Sequence, residues 1–561
     1  MNGALLLIGS AIILAIAYFL YGGLLSKVLG IDGQRKTPAH DLRDDIDYVP
    51  THPAVLFGHH FASIAGAGPI VGPILAGYFG WGSVILWVLV GGIFIGAMHD
   101  MVSLYLSVRH KGQSIATVIE TVLGKPGRLL FLLFCWSTLI LVCAEFVRQV
   151  AATFIPHPEV ASSSLLFIGL ALIFGCVVYR LKLNLIAATA IFVPIMFFFV
   201  HLGELIPLDL TKLFNLDKSQ AQTAWTLILL GYCFLASTLP VWLLLQPRDY
   251  LNSYLLYAMI FLGFIGVFVA MPHISMEPFT SLTPKSAAGH ELPLFPILFI
   301  TVACGACSGF HSLVASGTTA KQIDNERHIQ PVAYGGMLLE SILAVLALIA
   351  VGTMTCGGLT EAIKSGQTPV ALFSKGLAGF CTKLGLPEQS AFTFMCLSVS
   401  AFLLTSVDTA TRLARFTWQE LFSMIPQKAE NRKTGIVVKL LGNMYVATGL
   451  VIGLVALLLL GNPEAAKNLW TIFASANQLL AGLTLFTASL WLYKNHMAYW
   501  VTLMPMLFML AVSSTGLYML STGAWKSGNT TLGTVTAILL VLAAILVVLA
   551  IIRFTQARKE R

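Results

Sequence analysis

Residues 57–73 read FGHHFASIAGAGPIVGP and combine glycines, prolines and histidines in a stretch apolar enough to lie in a membrane. Gly66 and Gly68 allow a positive φ, and Pro69 removes a backbone donor and disfavours a helical residue before it. A helix interrupted at mid-membrane leaves unpaired N–H groups on one side of the break and unpaired carbonyls on the other. We therefore predict that this break binds ions through its backbone, with a substrate carboxylate at the new helix N-terminus.

A matching interruption occurs in the second half of the chain at residues 301–319, TVACGACSGFHSLVASGTT. Each interruption is followed by a span that carries one acidic residue. Asp100 lies 34 residues after Gly66, and Glu340 lies 31 residues after Gly309. Paired interrupted segments at corresponding positions of two halves point to a transporter's binding site. The pairing predicts an inverted repeat whose two breaks share one site.

The predicted substrate site comprises residues along both breaks: His59, His60, Ser63, Ala65, Gly66, Ala67, Gly68, Pro69, Cys307, Ser308, Gly309, Phe310 and His311. Its histidines suit proton transfer or substrate contact because histidine titrates near neutral pH, and neutral histidines bonded to neighbouring helices are the alternative. No third ligand has a spacing that suggests a metal site. The C-x-x-C spacing of Cys304 and Cys307 favours packing inside a span, although it would suggest redox chemistry or zinc in a soluble chain.

The predicted ion-coupling groups are acids and hydroxyls within the spans: Asp100, Glu340, Thr405, Ser406 and Asp408. A buried acid is costly in hydrocarbon unless it is paired or hydrated, so each acid is a functional candidate. Hydroxyls, a carboxylate and freed carbonyls together suit Na⁺, whereas a protonatable acid alone suits H⁺. Neutralisation by Arg412 at i+4 is the structural alternative for Asp408. The same interpretation applies more strongly to Glu145 with Arg148.

The chain is 57% hydrophobic and 10% charged, far below the charged fraction of soluble domains. Apolar runs of about 20 residues are long enough to cross a membrane as helices, which predicts an all-α integral membrane protein. About fifteen transmembrane helices are predicted, starting near residues 3, 54, 81, 128, 163, 183, 223, 249, 294, 331, 388, 435, 466, 497 and 534. Lys and Arg concentrate after odd-numbered spans, including the loop 427–435, and in the tail 553–561. This predicts an outside N-terminus and a cytoplasmic C-terminus, and explains the net charge of +8 without nucleic acid.

The predicted spans form a leucine-transporter-like 5+5 inverted repeat with extra helices. The predicted units are residues 1–25 (a retained N-terminal extra helix), 54–203 (the first five-helix repeat), 223–271 (two inserted helices), 294–491 (the second, inverted repeat) and 497–561 (two C-terminal helices and a basic cytoplasmic tail). Hydrophilic connections are expected at 109–126, inside, and at 354–387, outside. Cys356 and Cys381 flank the outer connection and are the cysteines that could pair. Residues 240–255, PVWLLLQPRDYLNSYL, contain a tight inner turn, read first as a hinge and second as a gate.

Three long motifs give the chain a family resemblance: DDIDYVPTHPAVLFGHHFASIAGAGPIVGPILA, LPVWLLLQPRDYLNSYL and ACGACSGFHSLVASGTTAKQI. Together they resemble the carbon starvation protein CstA family, over residues 3 to at least 420. The resemblance implies a bacterial inner-membrane transporter of the leucine-transporter-like superfamily that takes up peptides during starvation. One branch of the family is similar to proton-coupled pyruvate importers.

We therefore expect a secondary active transporter that imports short peptides or pyruvate, driven by a proton or sodium gradient. No cofactor beyond the coupling ion is expected, and the expected partners are the small-molecule substrate, membrane lipids and a possible second copy of the chain. A passive channel and a membrane nutrient sensor are the alternatives. An enzyme is disfavoured because the sequence has no nucleophile elbow, H-E-x-x-H motif or phosphate-binding loop.

Overall fold

The computed structural model describes residues 1–44, 48–240, 243–287, 289–424, 439–461 and 469–559 of the chain. The described residues are mostly helical, and no β-strand occurs among them. The helices are α1 (Gly3–Val28), α2 (Pro53–Ile64), α3 (Gly68–Phe79), α4 (Trp81–Arg109), α5 (Ile115–Phe154), α6 (Pro158–Arg180), α7 (Leu185–Leu205), α8 (Lys218–Thr238), α9 (Leu245–Ala270), α10 (Leu294–Val302), α11 (Phe310–Gly317), α12 (Glu326–Gly352), α13 (Cys356–Lys364), α14 (Pro369–Cys381), α15 (Glu388–Ser423), α16 (Met444–Leu460), α17 (Leu469–Lys494), α18 (Trp500–Lys526) and α19 (Thr530–Lys559).

Within the described residues, twelve helical segments are long and apolar enough to cross a membrane, and α2 with α3 forms a thirteenth span that is bent by 42°. The prediction of an all-α, multi-span membrane protein is confirmed. Two helices, α8 and α16, correspond to predicted spans near residues 223 and 435 but are not among these thirteen. The count of about fifteen spans therefore stays a prediction. The predicted cytoplasmic loop 427–435 lies outside the described residues, as do the last two residues of the basic tail.

The first predicted break is present between α2 and α3. Helix α2 ends at Ile64, Ala65 has non-helical angles (φ −74°, ψ 59°), and α3 begins at Gly68 with Pro69 in its first turn. Proline fits that position because the first residues of a helix have no intrahelical acceptor for their N–H groups. Glycine and proline chemistry therefore predicts the location of the break correctly.

The reason for the glycines at this break differs from the prediction, because neither Gly66 nor Gly68 has a positive φ. Both are required for packing instead. A Cβ at Gly66 would lie 2.8 Å from the Ser406 Oγ, and a Cβ at Gly68 would overlap the side chain of Cys304. Small residues allow helices to approach closely in membranes, and here they bring the break against two other helices.

The second predicted break lies between α10 and α11. Helix α10 ends at Val302, and Ala303 adopts a positive φ of 40° at the start of a short 3₁₀ turn. The next helix, α11, begins only at Phe310. The two broken helices also cross closely, since a Cβ at Gly72 of α3 would lie 2.7 Å from the Thr301 carbonyl oxygen. Both interruptions are thus held together inside the protein.

Burial distinguishes the inner helices from those that face the lipid. Helices α12, α15 and α17 are buried along most of their apolar length, whereas α7 and α19 are mostly exposed. Exposed apolar side chains on a spanning helix fit contact with lipid. The inner helices enclose both breaks, so the interrupted segments lie in the core.

The predicted connections are partly helical. Helix α5 begins at Ile115, inside the segment 109–126, and has a kink at Gly124, whose φ is 74°. The segment 354–387 contains α13 and α14. The possible pairing of Cys356 with Cys381 is not formed, because both thiols are free. The Cys356 Sγ donates instead to the Gly77 carbonyl and the Cys381 Sγ to the Leu262 carbonyl.

Candidate functional site

The first break presents backbone amides without a protein partner. The N–H groups of Ile70 and Val71 donate to the Ala67 carbonyl at 3.1 and 2.8 Å. Among the described residues, no hydrogen bond is formed by the amide N–H of Ala67 or of Gly68. The start of a helix carries a partial positive charge, and free amides there point at a potential anion. The first break therefore has the chemistry of a carboxylate site.

The second break is closed by a side chain from α17. The Asn477 Oδ1 accepts from the Phe310 N–H at 2.8 Å, and the Asn477 carbonyl accepts from the Gly309 N–H at 3.1 Å. The Asn477 Nδ2 donates to the Ser308 Oγ at 3.0 Å. The two breaks are therefore unequal, because the protein itself occupies the helix end at the second one.

Asn477 is a site residue that the sequence analysis missed. It is fully buried beside another fully buried amide, Gln478, inside a spanning helix. Buried polar groups require hydrogen-bond partners, so an Asn-Gln pair at that place was an available signal. Nothing in the spacing along the chain connects it to the second break, which lies more than 160 residues away.

A hydroxyl of α15 faces the first break. The Ser406 Oγ is buried, lies against Gly66, and makes no hydrogen bond within the described residues. The neighbouring Thr405 Oγ1 donates to the Ala401 carbonyl and accepts from the Asn252 Nδ2, both at 2.9 Å. Of these two hydroxyls, that of Ser406 lies against the first break, and its role in ion coupling stays a prediction. Oxygen ligands beside freed carbonyls are the arrangement that Na⁺ would require.

Asp408 takes part in a buried ion pair that the sequence analysis did not predict. The Arg248 Nη1 of α9 contacts the Asp408 Oδ2, and the Tyr232 hydroxyl donates to the same oxygen at 2.7 Å. The proposed structural partner was Arg412, but its Nη2 donates to the carbonyls of Ala236 and Leu239 at 2.9 Å. Asp408 does form an ion pair, but its partner is Arg248 and not the predicted Arg412. The coupling role of Asp408 stays a prediction.

The ion pair extends to the first histidine. The Arg248 Nη2 donates to the Asp249 Oδ1 at 3.2 Å, and the His59 Nδ1 lies 3.9 Å from the Asp249 Oδ2. Arg248 and Asp249 are both about 1% exposed. The segment predicted as a hinge or gate therefore begins α9 with a buried charge network. Its preceding residues 241 and 242 lie outside the described residues.

The two adjacent histidines diverge as a helical spacing predicts. The side chain of His59 is 21% exposed and faces α9. His60 is fully buried, and its Nδ1 hydrogen-bonds the Thr319 Oγ1 at 2.9 Å. Ser63 makes only a bond along its own helix, to the His59 carbonyl at 2.9 Å. Of the two histidines, His59 keeps contact with solvent-accessible space.

Two predicted coupling acids meet at one predicted substrate residue, His311. The His311 Nδ1 lies 2.7 Å from the Asp100 Oδ2, and its Nε2 lies 3.4 Å from the Glu340 Oε2. The other oxygen of Asp100 hydrogen-bonds the His99 Nδ1 at 2.8 Å. All four side chains are fully buried. The structure thus joins the acids that follow each break through the histidine of α11.

The remaining candidates have structural contacts. Glu145 accepts two bonds from Arg148, at 2.9 and 2.7 Å, which confirms their interpretation as an ion pair. The Cys304 Sγ accepts from the Asn477 Nδ2 at 3.4 Å, and Cys307 is a buried core residue. Within the described part of the chain, no three or more His, Cys, Asp or Glu side chains are grouped to hold a metal ion.

Known proteins resemble this chain in sequence and in fold. The family description "Carbon starvation protein CstA" matches residues 2–364 and 357–516. The chain is 34% identical to the "Peptide transporter CstA" of Campylobacter jejuni, over 91% of this chain and 79% of that protein. It is 29% identical to the "Pyruvate/proton symporter BtsT" of Escherichia coli K12, over 93% and 82%. The manganese transporter of Eremococcus coleocola shares the fold, with a TM-score of 0.50 at 12% identity, over 92% of this chain and 99% of that one.

Proposed function

Because the chain belongs to the carbon starvation protein CstA family, we propose that it is a secondary active transporter that imports short peptides or pyruvate. Both substrate classes carry a carboxylate, and both occur in the names of its relatives. A proton or a sodium gradient drives the import. The family and the multi-span helical fold place the protein in a membrane, which we propose is the bacterial inner membrane.

The observation that carries this proposal is the inequality of the two breaks. The amides of Ala67 and Gly68 remain open at the first break, whereas Asn477 bonds the amide of Phe310 at the second. A carboxylate at the first break would receive charge-assisted hydrogen bonds without a buried cationic side chain. The backbone of the first break therefore holds the carboxylate of the substrate. The rest of the substrate, which differs between peptides and pyruvate, extends away from Ala67.

Ion coupling has two candidate locations in the structure. The Ser406 hydroxyl beside Gly66 could join backbone carbonyls of the first break around a cation. The buried acids Asp100 and Glu340 around His311 could hold a proton. Each location joins a break to another helix, so occupancy by the ion would favour one arrangement of the helices over another. We propose no part for nucleic acid, and leave a second copy of the chain as a possible partner.

Uptake into proteoliposomes tests the proposed function. Labelled pyruvate and labelled dialanine would be offered separately, with an inward proton gradient and then an inward sodium gradient. Accumulation above the outside concentration identifies the substrate and the driving ion. Equilibration without accumulation would favour the passive channel, and no movement of either compound would overturn the proposal for these substrates.

The carboxylate site has its own test, which uses neutral analogues. Pyruvamide and the C-terminal amide of dialanine lack the negative charge but keep most of the shape of the substrates. Loss of a charge-assisted interaction predicts roughly 10- to 100-fold weaker competition with the labelled substrate. Equal competition by the charged and neutral compounds would remove the first break as the carboxylate site.

A further inference from the structure

His311 has an acid on each side of its ring. Its Nδ1 lies 2.7 Å from Asp100 and its Nε2 lies 3.4 Å from Glu340, and none of the three side chains is exposed. Asp100 comes from α4, His311 from α11 and Glu340 from α12, so three helices from both halves of the chain converge here. We call His99, Asp100, His311 and Glu340 the His311 cluster.

The geometry sets how many protons the cluster holds. A neutral imidazole has one N–H donor and one acceptor nitrogen, whereas both nitrogens of an imidazolium are donors. Because each nitrogen of His311 faces a carboxyl oxygen, one further proton must lie between His311 and Glu340, either on the Nε2 or on the carboxyl group. Without that proton, a lone pair of the Nε2 would face an ionised Glu340 in a buried site, beside the ionised Asp100. Unpaired charge in such a place is strongly unfavourable.

Unsatisfied atoms mark the same place independently. Within the described residues, the His311 Nε2, both carboxyl oxygens of Glu340 and the His99 Nε2 are buried with no hydrogen-bond partner. Native interiors leave few such groups, and each one requires an explanation. Three of these four atoms, the His311 Nε2 and the two Glu340 oxygens, belong to the side chains between which the extra proton must lie. The Asp100 oxygens, in contrast, are both bonded.

We propose that the coupling ion is a proton and that it binds between His311 and Glu340, while Asp100 and His99 hold the imidazole in position. The inference rests on the proposed transport function and identifies its driving ion. A proton from the outer solution adds to the His311–Glu340 pair, travels with the bound substrate, and leaves to the cytoplasm after substrate release. No bond other than the one to this proton forms or breaks.

The surroundings of His311 connect the proton to the substrate site. The helix α11, which carries His311, packs against α2, and Ile64 is the last residue of α2 before the first break. A Cβ on Gly336 of α12, the helix that carries Glu340, would lie 3.5 Å from the side chains of His60 and Ile64 in α2. Since His311 follows the second break and its helix packs against the first half-helix, a shift of either break changes the contacts of the proton.

A sodium ion is a poorer occupant of the His311 cluster. Hard cations such as Na⁺ prefer several oxygen ligands, and a histidine ring nitrogen stands between the two acids here. The oxygens of Asp100 are already bonded to His99 and His311. The hydroxyl of Ser406 faces the first break at a separate location and could hold sodium independently. The two locations therefore make different predictions for a variant at Glu340.

The decisive variant is Glu340→Gln, because glutamine resembles the protonated acid and cannot release a proton. In proteoliposomes it should retain exchange of labelled for unlabelled pyruvate or dialanine, since exchange needs no net proton movement. Accumulation driven by a proton gradient should fall to the equilibrium ratio. Glu361→Gln is the matched control, because it makes the same chemical change at an exposed position of α13 and should accumulate like the wild type.

A direct measurement on wild-type protein keeps the proposal falsifiable if Glu340→Gln does not fold. In weakly buffered medium with a pH indicator, wild-type proteoliposomes given an inward gradient of the transported compound should take up protons with it, so that the outside medium becomes more alkaline. No proton uptake by the wild type, or accumulation by Glu340→Gln at the wild-type level, would overturn the proton site. Accumulation driven by sodium alone would overturn it while leaving the proposed function intact. If the wild type transports neither compound, the proposed function itself fails.

Discussion

Asp408 is a predicted coupling residue, and the structure also gives it a place in a buried ion pair. Sequence position places it beside Thr405 and Ser406, which predicts a coupling ion. The structure adds Arg248 and Tyr232 as partners of its carboxylate. A buried ion pair contributes little net stability when intact, but removal of one partner leaves an uncompensated charge. A loss of transport on substitution is therefore ambiguous without a stability measurement.

We expect Asp408→Asn to lose gradient-driven accumulation and to be destabilised by roughly 3 kcal/mol, because Arg248 would remain buried with only Asp249 beside it. The double variant Arg248→Met with Asp408→Leu should regain most of that stability, since it removes both charges. Thermal unfolding in detergent measures the stability, and proteoliposome uptake measures the accumulation. Stable, fully accumulating Asp408→Asn protein would exclude Asp408 from both roles.

Some residues of the candidate site can be predicted from their type and position in the sequence. The others are found only through their contacts in the structure with residues far away along the chain. Asp100, His311 and Glu340 were each predicted as candidates, because acids and histidines within spans stand out by their cost. The structure brings the three side chains together. The partners Asn252 and Asn477 were not predicted. Asn252 contacts a residue 153 positions away. A single sequence displays the unusual residue but does not display the residue that it contacts.

At the scale of elements, the glycines of the first break act through close packing. Both Gly66 and Gly68 keep ordinary φ angles, and their missing Cβ atoms let the break contact α15 and the segment after α10. The sequence predicts the position of the break from Gly and Pro propensities. It does not predict why these glycines are needed, because the reason lies on other helices.

Gly68→Ala should lower both stability and transport, because its Cβ would overlap the Cβ and Sγ of Cys304. The expected cost is about 1–3 kcal/mol for an overpacked core. Adding Cys304→Gly removes the obstructing side chain and should restore part of both properties. Gly169→Ala is the matched control, since a Cβ there would contact nothing within 4 Å. Equal stability of Gly68→Ala and Gly169→Ala in thermal unfolding would contradict the packing argument.

The helices α13 and α14 give a second element-scale prediction through their cysteines. Burial, together with the carboxylate of Glu277, raises the pKa of the Cys356 thiol to about 12. Since the thiolate is the reactive form, folded protein at pH 8 should react with maleimide at Cys356 far more slowly than unfolded protein. Mass spectrometry of a non-reduced digest should find Cys356 and Cys381 unlinked. A disulfide between them, or equally fast labelling of folded and unfolded protein, would contradict this arrangement.

At the scale of the whole molecule, the number of spans determines which loops face which side. Thirteen and fifteen spans both place the termini on opposite sides, so the termini do not distinguish the two counts. The difference lies in the loops between α8 and α16. If α8 crosses the membrane, the connection between α9 and α10 is outside, and if it does not, that connection is inside.

Cysteine labelling of intact cells decides between these counts. In a cysteine-free background, we expect Ser286→Cys, in the connection between α9 and α10, to react with a membrane-impermeant maleimide. Ser527→Cys lies outside under either count and is the positive control, whereas Lys111→Cys lies inside under either count and should stay unlabelled. An unlabelled Ser286→Cys together with a labelled Ser527→Cys would show that α8 does not cross. Labelling of Lys111→Cys would reverse the predicted orientation.

Overall architecture was predicted better than detail because hydropathy and paired interruptions are long-range signals within one sequence. Apolar length alone predicts spanning helices, and the two Gly- and Ser-rich stretches predict both breaks. The boundaries of the repeats stay predictions. The number of spans stays a prediction where helices are short or polar. Helix α16, for example, has 17 residues.

The cap that Asn477 places on the second break has a consequence for the orientation in which a substrate binds. A frame built from two inverted halves with both helix ends open could accept an acidic molecule head first or tail first. The N–H groups of Phe310 and Gly309 are already bonded to Asn477. The carboxylate of a substrate therefore binds at the other break, beside Ala67 and Gly68. Although the two halves of the frame are nearly symmetric, the site therefore binds the two ends of a substrate differently. It should distinguish a dipeptide from the dipeptide of reversed sequence.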